Sequence, residues 1–133
     1  MNANTDRTSF LRRSLQLDGI ASGLCGVLLV VAASPISAVI GLAEPGIARV
    51  VGALLVVYAA ALLWNGERAT VSRAEAVAAV VLNAGWVIGS AVVILAGPLT
   101  LIGNLAVAAL AAAVLLFAVL EVVGLTRLRE MAG

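Results

Sequence analysis

Residues 76–123 read "AVAAVVLNAGWVIGSAVVILAGPLTLIGNLAVAALAAAVLLFAVLEVV", and Glu121 is the only charged side chain in this stretch. The stretch has one strong break, at Gly97-Pro98, because proline cannot continue a helix. Each part is about 20 residues long, the length at which a helix crosses a ~30 Å hydrocarbon core. The stretch therefore predicts two transmembrane helices, Ala76–Ala96 and Leu101–Val123.

The N-terminal half of the chain has the same pattern of two apolar runs. We predict helices at Leu15–Ala33 and Ile47–Trp64, with a polar turn at residues 65–68 after the second. Ser34-Pro35 ends the first helix because of the restrictions that proline places on the backbone. The connecting segment, residues 34–46, is apolar but too short to span. We expect it to lie along the outer membrane interface as a brief amphipathic segment.

The composition is that of a membrane protein. Hydrophobic residues make up 63% of the 133 positions, charged residues make up 11%, and the mean hydropathy is +1.17. A soluble domain has about a quarter charged residues. We therefore predict an all-α membrane protein with a single domain, residues 1–133, that forms a bundle of four transmembrane helices in the lipid bilayer.

The arginines predict the orientation of the bundle, because cytoplasmic loops carry an excess of Lys and Arg. With four crossings, both ends of the chain and the loop between the second and third helices share one side. That side holds seven of the eight basic residues. We predict that both termini are cytoplasmic and that the chain is a multi-pass protein of the bacterial inner membrane. The first apolar run is longer than a signal-peptide core, so we expect it to remain uncleaved.

Several kinds of chemistry lack the side chains that they need. Cys25 is the single cysteine and histidine is absent, which removes an intrachain disulfide and the common haem and zinc ligand sets. There is no phosphate-binding loop and no nucleophile elbow. The basic residues are too scattered for a nucleic-acid surface. We expect no metal, no cofactor, no nucleic-acid partner and no enzymatic activity.

Small residues recur four positions apart on two of the predicted helices. They are Gly19, Ser22, Gly23 and Gly26 in the first helix, and Gly85 and Gly89 in the third. This spacing forms a groove in which another helix can approach closely. We predict tight helix packing at both places, either within the chain or between copies.

Two carboxylates, Asp18 and Glu121, fall inside predicted helices on the cytoplasmic side. Asp18 lies about 5 Å inside the first predicted helix at 1.5 Å per residue. One interpretation is a proton- or cation-binding pair, because intramembrane carboxylates are costly and often serve transport. The interpretation that we favour is interfacial, with both acids hydrated or paired with Arg12, Arg13 and Arg127.

The third helix carries Asn83, Trp86 and Ser90 on one face, at spacings of three and four residues. Trp86 lies at mid-helix, although membrane tryptophans favour the interfaces, and a buried indole N–H needs an acceptor. We favour a polar seam of interhelical hydrogen bonds, each contributing about 0.6–2 kcal/mol. The alternative is a pocket in which the indole and the amide orient a small ligand.

Three polar residues are candidates for lipid or ion-pair contacts on the outer side. Arg49 begins the second helix, Glu44 precedes it, and Asn104 lies at the start of the fourth helix. A cation at a helix N-terminus is electrostatically unfavourable. We therefore expect Arg49 to extend to lipid headgroups or to pair with Glu44.

Three stretches carry a resemblance to a known group of proteins: "LRRSLQLDGIASGLCG" (11–26), "LNAGWVIGSAVVILAG" (82–97) and "LEVVGLTRLRE" (120–130). They resemble small bacterial four-helix integral membrane proteins to which no activity is assigned. A weaker similarity is to DoxX-like proteins, which are linked to quinone and redox partners. The resemblance implies a fold and a location, and no residue here carries the quinone chemistry. The sequence is a poor match to small multidrug transporters and to vitamin K epoxide reductase-like enzymes.

Three functions are consistent with these patterns. The one we favour is a non-catalytic subunit or scaffold that packs with a larger membrane complex or with itself as a homo-oligomer. The first alternative is a small oligomeric transporter or channel that uses Asp18, Asn83 and Glu121. The second alternative is a binder of a lipid, a quinone or another hydrophobic ligand, with Trp86 as the pocket wall.

Overall fold

The computed structural model describes residues 3–132, and the side chains of residues 9–127. This part of the chain is helical and contains no strand. Its five helices are α1 (Ala3–Val31), α2 (Ala33–Ile40), α3 (Pro45–Glu67), α4 (Arg73–Ala96) and α5 (Leu101–Ala132). The predicted all-α class is confirmed.

Four of the helices are long and apolar enough to cross a membrane. The candidate spans are Ser9–Val31, Pro45–Glu67, Arg73–Ala96 and Leu101–Arg127. They overlap the four predicted spans, so a multi-pass membrane protein is the class that the fold supports. The helices are longer than the apolar runs: α3 includes residues predicted as a polar turn, and α5 continues past Val123. Helical hydrogen bonding continues along the backbone wherever residues accept the conformation, so it does not stop where the apolar residues stop.

The fifth helix, α2, occupies the start of the connection that we expected to lie along the interface. Pro35 does not prevent it, because Pro35 falls in the first turn, where backbone N–H groups have no partner within the helix. The side chains of Ala33 and Ser37 are buried, so α2 packs on the bundle. Gly41 ends α2 with a φ of 86°, a conformation that glycine adopts without strain.

α2 lies at one end of the bundle and contacts the loop between α4 and α5. The backbone N–H of Thr100 donates to Ile40 O at 3.0 Å, and its hydroxyl donates to Val39 O at 2.8 Å. At the opposite end, α1 meets α5, where a Cβ added at Gly124 would lie 2.9 Å from Leu11 Cβ. We refer to the end with the α3–α4 loop, the start of α1 and the end of α5 as the terminal side, and to the other end as the α2 side.

α1 is the central helix of the bundle and packs on both α3 and α5, while α4 packs mainly on α5. The contact between α1 and α3 depends on glycine. A Cβ added at Gly52 would lie 2.6 Å from Gly26 O, and one added at Gly26 would lie 2.7 Å from Gly52 O. Two backbones can approach this closely only where neither residue has a side chain.

The terminal side contains the main apolar core. The buried residues of this core are Leu11, Leu15, Leu62, Val71, Ala76 and Ala79. Val71 belongs to the α3–α4 loop, so the loop itself contributes to the core. This packed layer separates the centre of the bundle from the terminal side.

The polar groups around that core are paired. Arg12 donates to Gly66 O at 2.6 Å and to Arg68 O at 2.5 Å, which satisfies carbonyl groups at the C-terminal end of α3. Asn65 accepts from Ser72 N at 2.7 Å and donates to Ser72 O at 3.2 Å. The Ser72 hydroxyl in turn caps α4. The α3–α4 loop on the terminal side is therefore both packed and hydrogen-bonded.

Candidate functional site

A cluster of polar side chains lies in the interior of the bundle and includes both intramembrane carboxylates. Asp18 of α1 is 1% exposed, and Glu121 of α5 is fully buried. The side-chain amide of Asn83, on α4, joins them: its Nδ2 donates to Asp18 Oδ2 at 2.9 Å and to Glu121 Oε1 at 2.8 Å. The two carboxylates thus accept hydrogen bonds from the same nitrogen atom.

Tyr58 adds the fourth long helix to the cluster. Its hydroxyl lies 2.9 Å from Asn83 Oδ1, 3.2 Å from Asp18 Oδ2 and 3.4 Å from Ala79 O. A hydroxyl has one proton to donate, so Tyr58 can donate to only one of these three acceptors at a time. Ser22, one turn beyond Asp18 on α1, donates to Asp18 Oδ1 at 3.1 Å. We refer to Asp18, Ser22, Tyr58, Asn83 and Glu121 as the carboxylate cluster.

The hydrogen bonds place the carboxylate cluster well inside the helices. At 1.5 Å per residue, Asn83 lies about 15 Å from Arg73, the first residue of α4, and Tyr58 lies about 13 Å from Glu67, the last residue of α3. Asp18 and Glu121 bond to Asn83, so both acids lie at this level of the bundle.

No arginine reaches the carboxylate cluster in the part of the chain with described side chains, which corrects the interfacial interpretation of the two acids. Arg12 binds carbonyl groups of the α3–α4 loop, and Arg13 is exposed. Arg127 lies over the ring of Phe10, with its guanidinium 4.4 Å from the ring centroid. Among residues 9–127 the acids have only neutral hydrogen-bond donors, because they face the bundle interior while the arginines are held at its end.

Two polar groups in and beside the cluster have no hydrogen-bond partner among the described residues. Glu121 Oε2 is buried and unpaired, although Oε1 of the same carboxylate is bonded. Trp86 Nε1 is also buried and unpaired. The predicted seam on α4 is therefore only partly formed: Asn83 bonds to other helices, and its Oδ1 is occupied by Tyr58 rather than by the indole. Ser90 is buried on the same face.

The two small-residue motifs have different surroundings. Gly19 and Gly23 face α3, where added Cβ atoms would lie 2.9 Å from Leu63 Cγ and 3.3 Å from Ala59 Cβ. Together with Gly26 they form the contact with that helix, and Ser22 belongs to the carboxylate cluster. Gly85 and Gly89 have nothing within 4 Å of an added Cβ. The expected packing at α4 thus does not occur within this chain, in the part that the structure describes.

The three outer-side candidates do not form one site. Glu44 and Arg49 are both exposed, and Arg49 donates to Ser34 Oγ at 3.4 Å rather than pairing with Glu44. Glu44 is the N-cap residue of α3, so its side chain starts from a different helical face than that of Arg49. Asn104 is half-buried, and its Oδ1 has no partner among residues 9–127.

Tyr58 is the member of the site that sequence reasoning missed. A signal for it exists: it is the only tyrosine in the chain, and it lies in the middle of an otherwise apolar span. A buried tyrosine hydroxyl usually finds a hydrogen-bond partner. A hydroxyl in the middle of this span therefore indicated a polar partner on a neighbouring helix.

Comparison with family models, with curated protein sequences and with solved structures finds no match for this chain. Among the described residues, no three His, Cys, Asp or Glu side chains are grouped as a metal site would require. The cluster instead contains two acids, an amide and two hydroxyls, which are groups that bind and exchange protons.

Proposed function

We propose that this protein is a small multi-pass transporter whose carboxylate cluster binds and releases a proton. The observation that carries the proposal is the buried pair of Asp18 and Glu121, bridged by one amide nitrogen with no cationic side chain of residues 9–127 beside it. Intramembrane carboxylates are costly to retain and commonly mark ion or proton pathways. The proposal involves no chemical step on a substrate.

Charge is the reason for a bound proton. Two ionised carboxylates this close in a low-dielectric interior repel each other, and each loses its hydration on burial. Asn83 contributes one amide nitrogen to the pair, which offsets only part of that cost. A cation must offset the remaining cost, and a proton is the smallest cation that can do so.

The donors around the cluster favour a proton over a metal ion. Asn83 directs its NH₂ group at both carboxylates, whereas a bound metal would need the amide oxygen instead. That oxygen accepts from the Tyr58 hydroxyl. A metal ion between the acids would face N–H donors, and these repel it.

The hydrogen bonds divide the two acids into different roles. Asp18 accepts from two donors, Ser22 and Asn83, because the single Tyr58 proton goes to Asn83 Oδ1. Glu121 has one among the described residues, from Asn83, and its Oε2 is unpaired. Donors stabilise an ionised carboxylate, so Asp18 holds the negative charge and Glu121 holds the exchangeable proton.

Proton flux into liposomes tests this function. Purified protein is reconstituted with a pH-sensitive dye inside, and a potassium diffusion potential drives proton entry. Asp18→Asn and Glu121→Gln should each reduce the flux at least about tenfold, because each removes one acid of the pair. Glu67→Gln is the matched control, since Glu67 is an exposed acid at the end of α3. Equal flux in all four proteins would contradict the proposal.

Infrared spectroscopy provides a second test that needs no flux. A protonated buried carboxyl absorbs as a C=O stretch that an ionised carboxylate lacks, and the band shifts in D₂O. We expect the unsubstituted protein to show this band at neutral pH and Glu121→Gln to lose it. A spectrum in which the band is absent, or in which only Glu67→Gln removes it, would reject Glu121 as the proton carrier.

For the setting of the transporter we propose the bacterial inner membrane, with both termini in the cytoplasm. The support is the arginine distribution, with Arg68, Arg73 and Arg127 at the terminal side and Arg49 at the α2 side. A reporter that is active only outside the cytoplasm should stay inactive when fused to the C-terminus. Activity of that fusion would reverse the orientation.

A second candidate function is a non-catalytic subunit or scaffold that packs with a larger membrane complex or with itself. It is supported by α4, where Gly85 and Gly89 are open to an approaching helix and are not used within the described part of the chain. Native mass spectrometry from the source membrane should then detect a fixed oligomer or a stoichiometric partner. A free monomer would argue against this candidate.

A further inference from the structure

Buried polar atoms without a hydrogen-bond partner are unevenly distributed along the bundle. Among residues 9–127, the four side-chain atoms of this kind are Ser37 Oγ, Trp86 Nε1, Asn104 Oδ1 and Glu121 Oε2. Glu121 belongs to the carboxylate cluster, and the other three lie beyond it toward the α2 side. Between the cluster and the terminal side, the same part of the chain has no such atom.

The unpaired atoms are placed at successive depths. Trp86 is one turn beyond Asn83 on α4, and Ser90, which is 8% exposed, is one further turn along the same face. Asn104 lies in the first turn of α5, and Ser37 lies in α2. The polar side chains therefore extend from Glu121 to the α2 end of the bundle.

The terminal side of the cluster is built differently. Leu11, Leu15, Ala76 and Ala79 are at most 1% exposed, and Tyr58 packs against this core. The polar groups farther out are bonded, as in the contacts of Arg12 with carbonyl groups of the α3–α4 loop. A proton leaving Glu121 toward the terminal side would have to pass through packed alkyl groups.

Unpaired buried polar atoms are rare, because each loses its hydration without gaining a protein partner. Within a membrane, non-bonded polar groups are tolerated where they line a water-containing space. Buried waters that bond to otherwise unsatisfied groups are an ordinary part of protein interiors. The fully buried Glu121 Oε2 is the strongest of the four indications, because it belongs to the group that holds the exchangeable proton and has no hydrogen-bond partner among residues 9–127.

We infer that a hydrated route connects Glu121 with the aqueous phase on the α2 side, past Trp86, Ser90 and Asn104, while the apolar core closes the terminal side. The inference rests on the proposed function for the identity of the ligand, which is a proton carried by water. It adds the direction of access: in this conformation the site loads and unloads from the α2 side. Release to the terminal side requires the core around Leu15 and Leu62 to open.

Single-cysteine labelling tests the route. Cys25→Ala removes the native thiol, and cysteine is then introduced as Ser90→Cys on the route, Val92→Cys facing lipid, or Leu62→Cys in the terminal core. The probe is a small, membrane-impermeant methanethiosulfonate with a quaternary ammonium group. It reacts with the ionised thiol, which forms in water and not in lipid or in packed protein. Thr70→Cys and Ala43→Cys, both at exposed positions at opposite ends, report how the protein is oriented in the liposomes.

We expect Ser90→Cys to react from the α2 side at least about tenfold faster than Val92→Cys and Leu62→Cys, because only the first thiol contacts water. Asn104→Cys is a second route variant in case Ser90→Cys alters packing, and it should react faster still. The inference is overturned if Ser90→Cys and Asn104→Cys react no faster than the two controls. It is also overturned if they react equally fast from the terminal side.

The labelling result is independent of transport, so the two proposals can fail separately. Rapid labelling from the α2 side without any proton flux would contradict the proposed function and support the hydrated route. Proton flux that depends on Glu121, together with unreactive Ser90→Cys and Asn104→Cys, would retain the function and remove the route.

Discussion

The two ends of the bundle, on either side of the carboxylate cluster, are held together in different ways. On the terminal side, side chains fill the interior: leucines and alanines form a core, and Arg12 and Asn65 bond the α3–α4 loop. Toward the α2 side, backbones meet directly at Gly26 and Gly52, and several buried polar atoms are unpaired among the described residues.

This difference concerns two properties of the bundle: its stability and the access of water to the carboxylate cluster. Packed alkyl groups and satisfied carbonyls exclude water, so the terminal side is where the bundle is closed. A backbone contact between two glycines holds α1 against α3 without filling the space on the other faces of α1. The α2 side can therefore be firmly associated along one helix pair and still leave room for water beside α4. Substitutions that act on one end or the other test this comparison.

The largest effect is expected for Gly52→Leu. A Cβ at this position meets Gly26 O at 2.6 Å and Leu29 Cβ at 2.8 Å, and a backbone oxygen cannot move as a flexible side chain can. The helices must separate, at a cost of about 3 kcal/mol or more in the free energy of unfolding. The measurement is reversible unfolding in mixed detergent micelles.

Gly89→Leu is the matched control for that substitution. Nothing lies within 4 Å of its Cβ, so we expect a change within about 0.5 kcal/mol. A large loss of stability at Gly89 would contradict the open surface of α4. If that loss depended on protein concentration, it would indicate a contact between copies and favour the subunit candidate.

The next largest loss of stability is expected for Asn83, whose side chain is hydrogen-bonded, and Asn104 provides the comparison. Asn83→Ala removes the nitrogen that both carboxylates share and the oxygen that accepts from Tyr58, so we expect a loss of about 2 kcal/mol. Asn104→Ala removes a side-chain oxygen with no partner among residues 9–127, and we expect a loss of less than about 0.5 kcal/mol. Unfolding in micelles compares the two, and equal losses would contradict the assignment of Asn104 Oδ1 as an unpaired atom.

The sequence was sufficient for the helical class and for the four long apolar helices. Apolar runs of about 20 residues need a membrane, and proline at positions 35, 45 and 98 marks the connections. These are local properties, so the four spans were predictable. The short helix α2 was not, because the effect of Pro35 depends on which turn of a helix it enters.

The site was only partly predictable. Asp18, Asn83 and Glu121 stand out because polar residues are rare in spans, but whether they meet depends on how each helix is rotated. Rotation is set by packing, and the glycine pattern does not determine it: the motif in α1 contacts α3, while the motif in α4 contacts nothing in the described chain. The predicted pairing of Asp18 with arginines failed for the same reason, since side-chain direction decides which neighbours a residue has.

A smaller effect is expected at the terminal side for Arg12→Ala. Arg12 bonds two carbonyl groups closely, those of Gly66 and Arg68, and contacts Ala69 O at 3.4 Å. Part of this network is exposed to water, which can replace the lost donor, so we expect a loss of about 1 kcal/mol. Arg13→Ala is the control, because Arg13 is exposed one residue later, and it should change the unfolding free energy by less than about 0.5 kcal/mol. Equal losses for both would mean that the contribution comes from helix charge rather than from the bonded carbonyls.

The smallest effect tests whether the loop on the terminal side is held by charge. Arg68 and Glu75 form an ion pair of 3.3 Å, and both side chains are about half exposed, at 44% and 48%. Water and salt screen such a pair, so Glu75→Gln should cost at most about 0.5 kcal/mol, and high salt should remove the difference from the unsubstituted protein. Unfolding measured at low and high ionic strength decides this. A loss larger than that of Arg12→Ala would mean that the ion pair, and not the bonded and packed interior, closes this end.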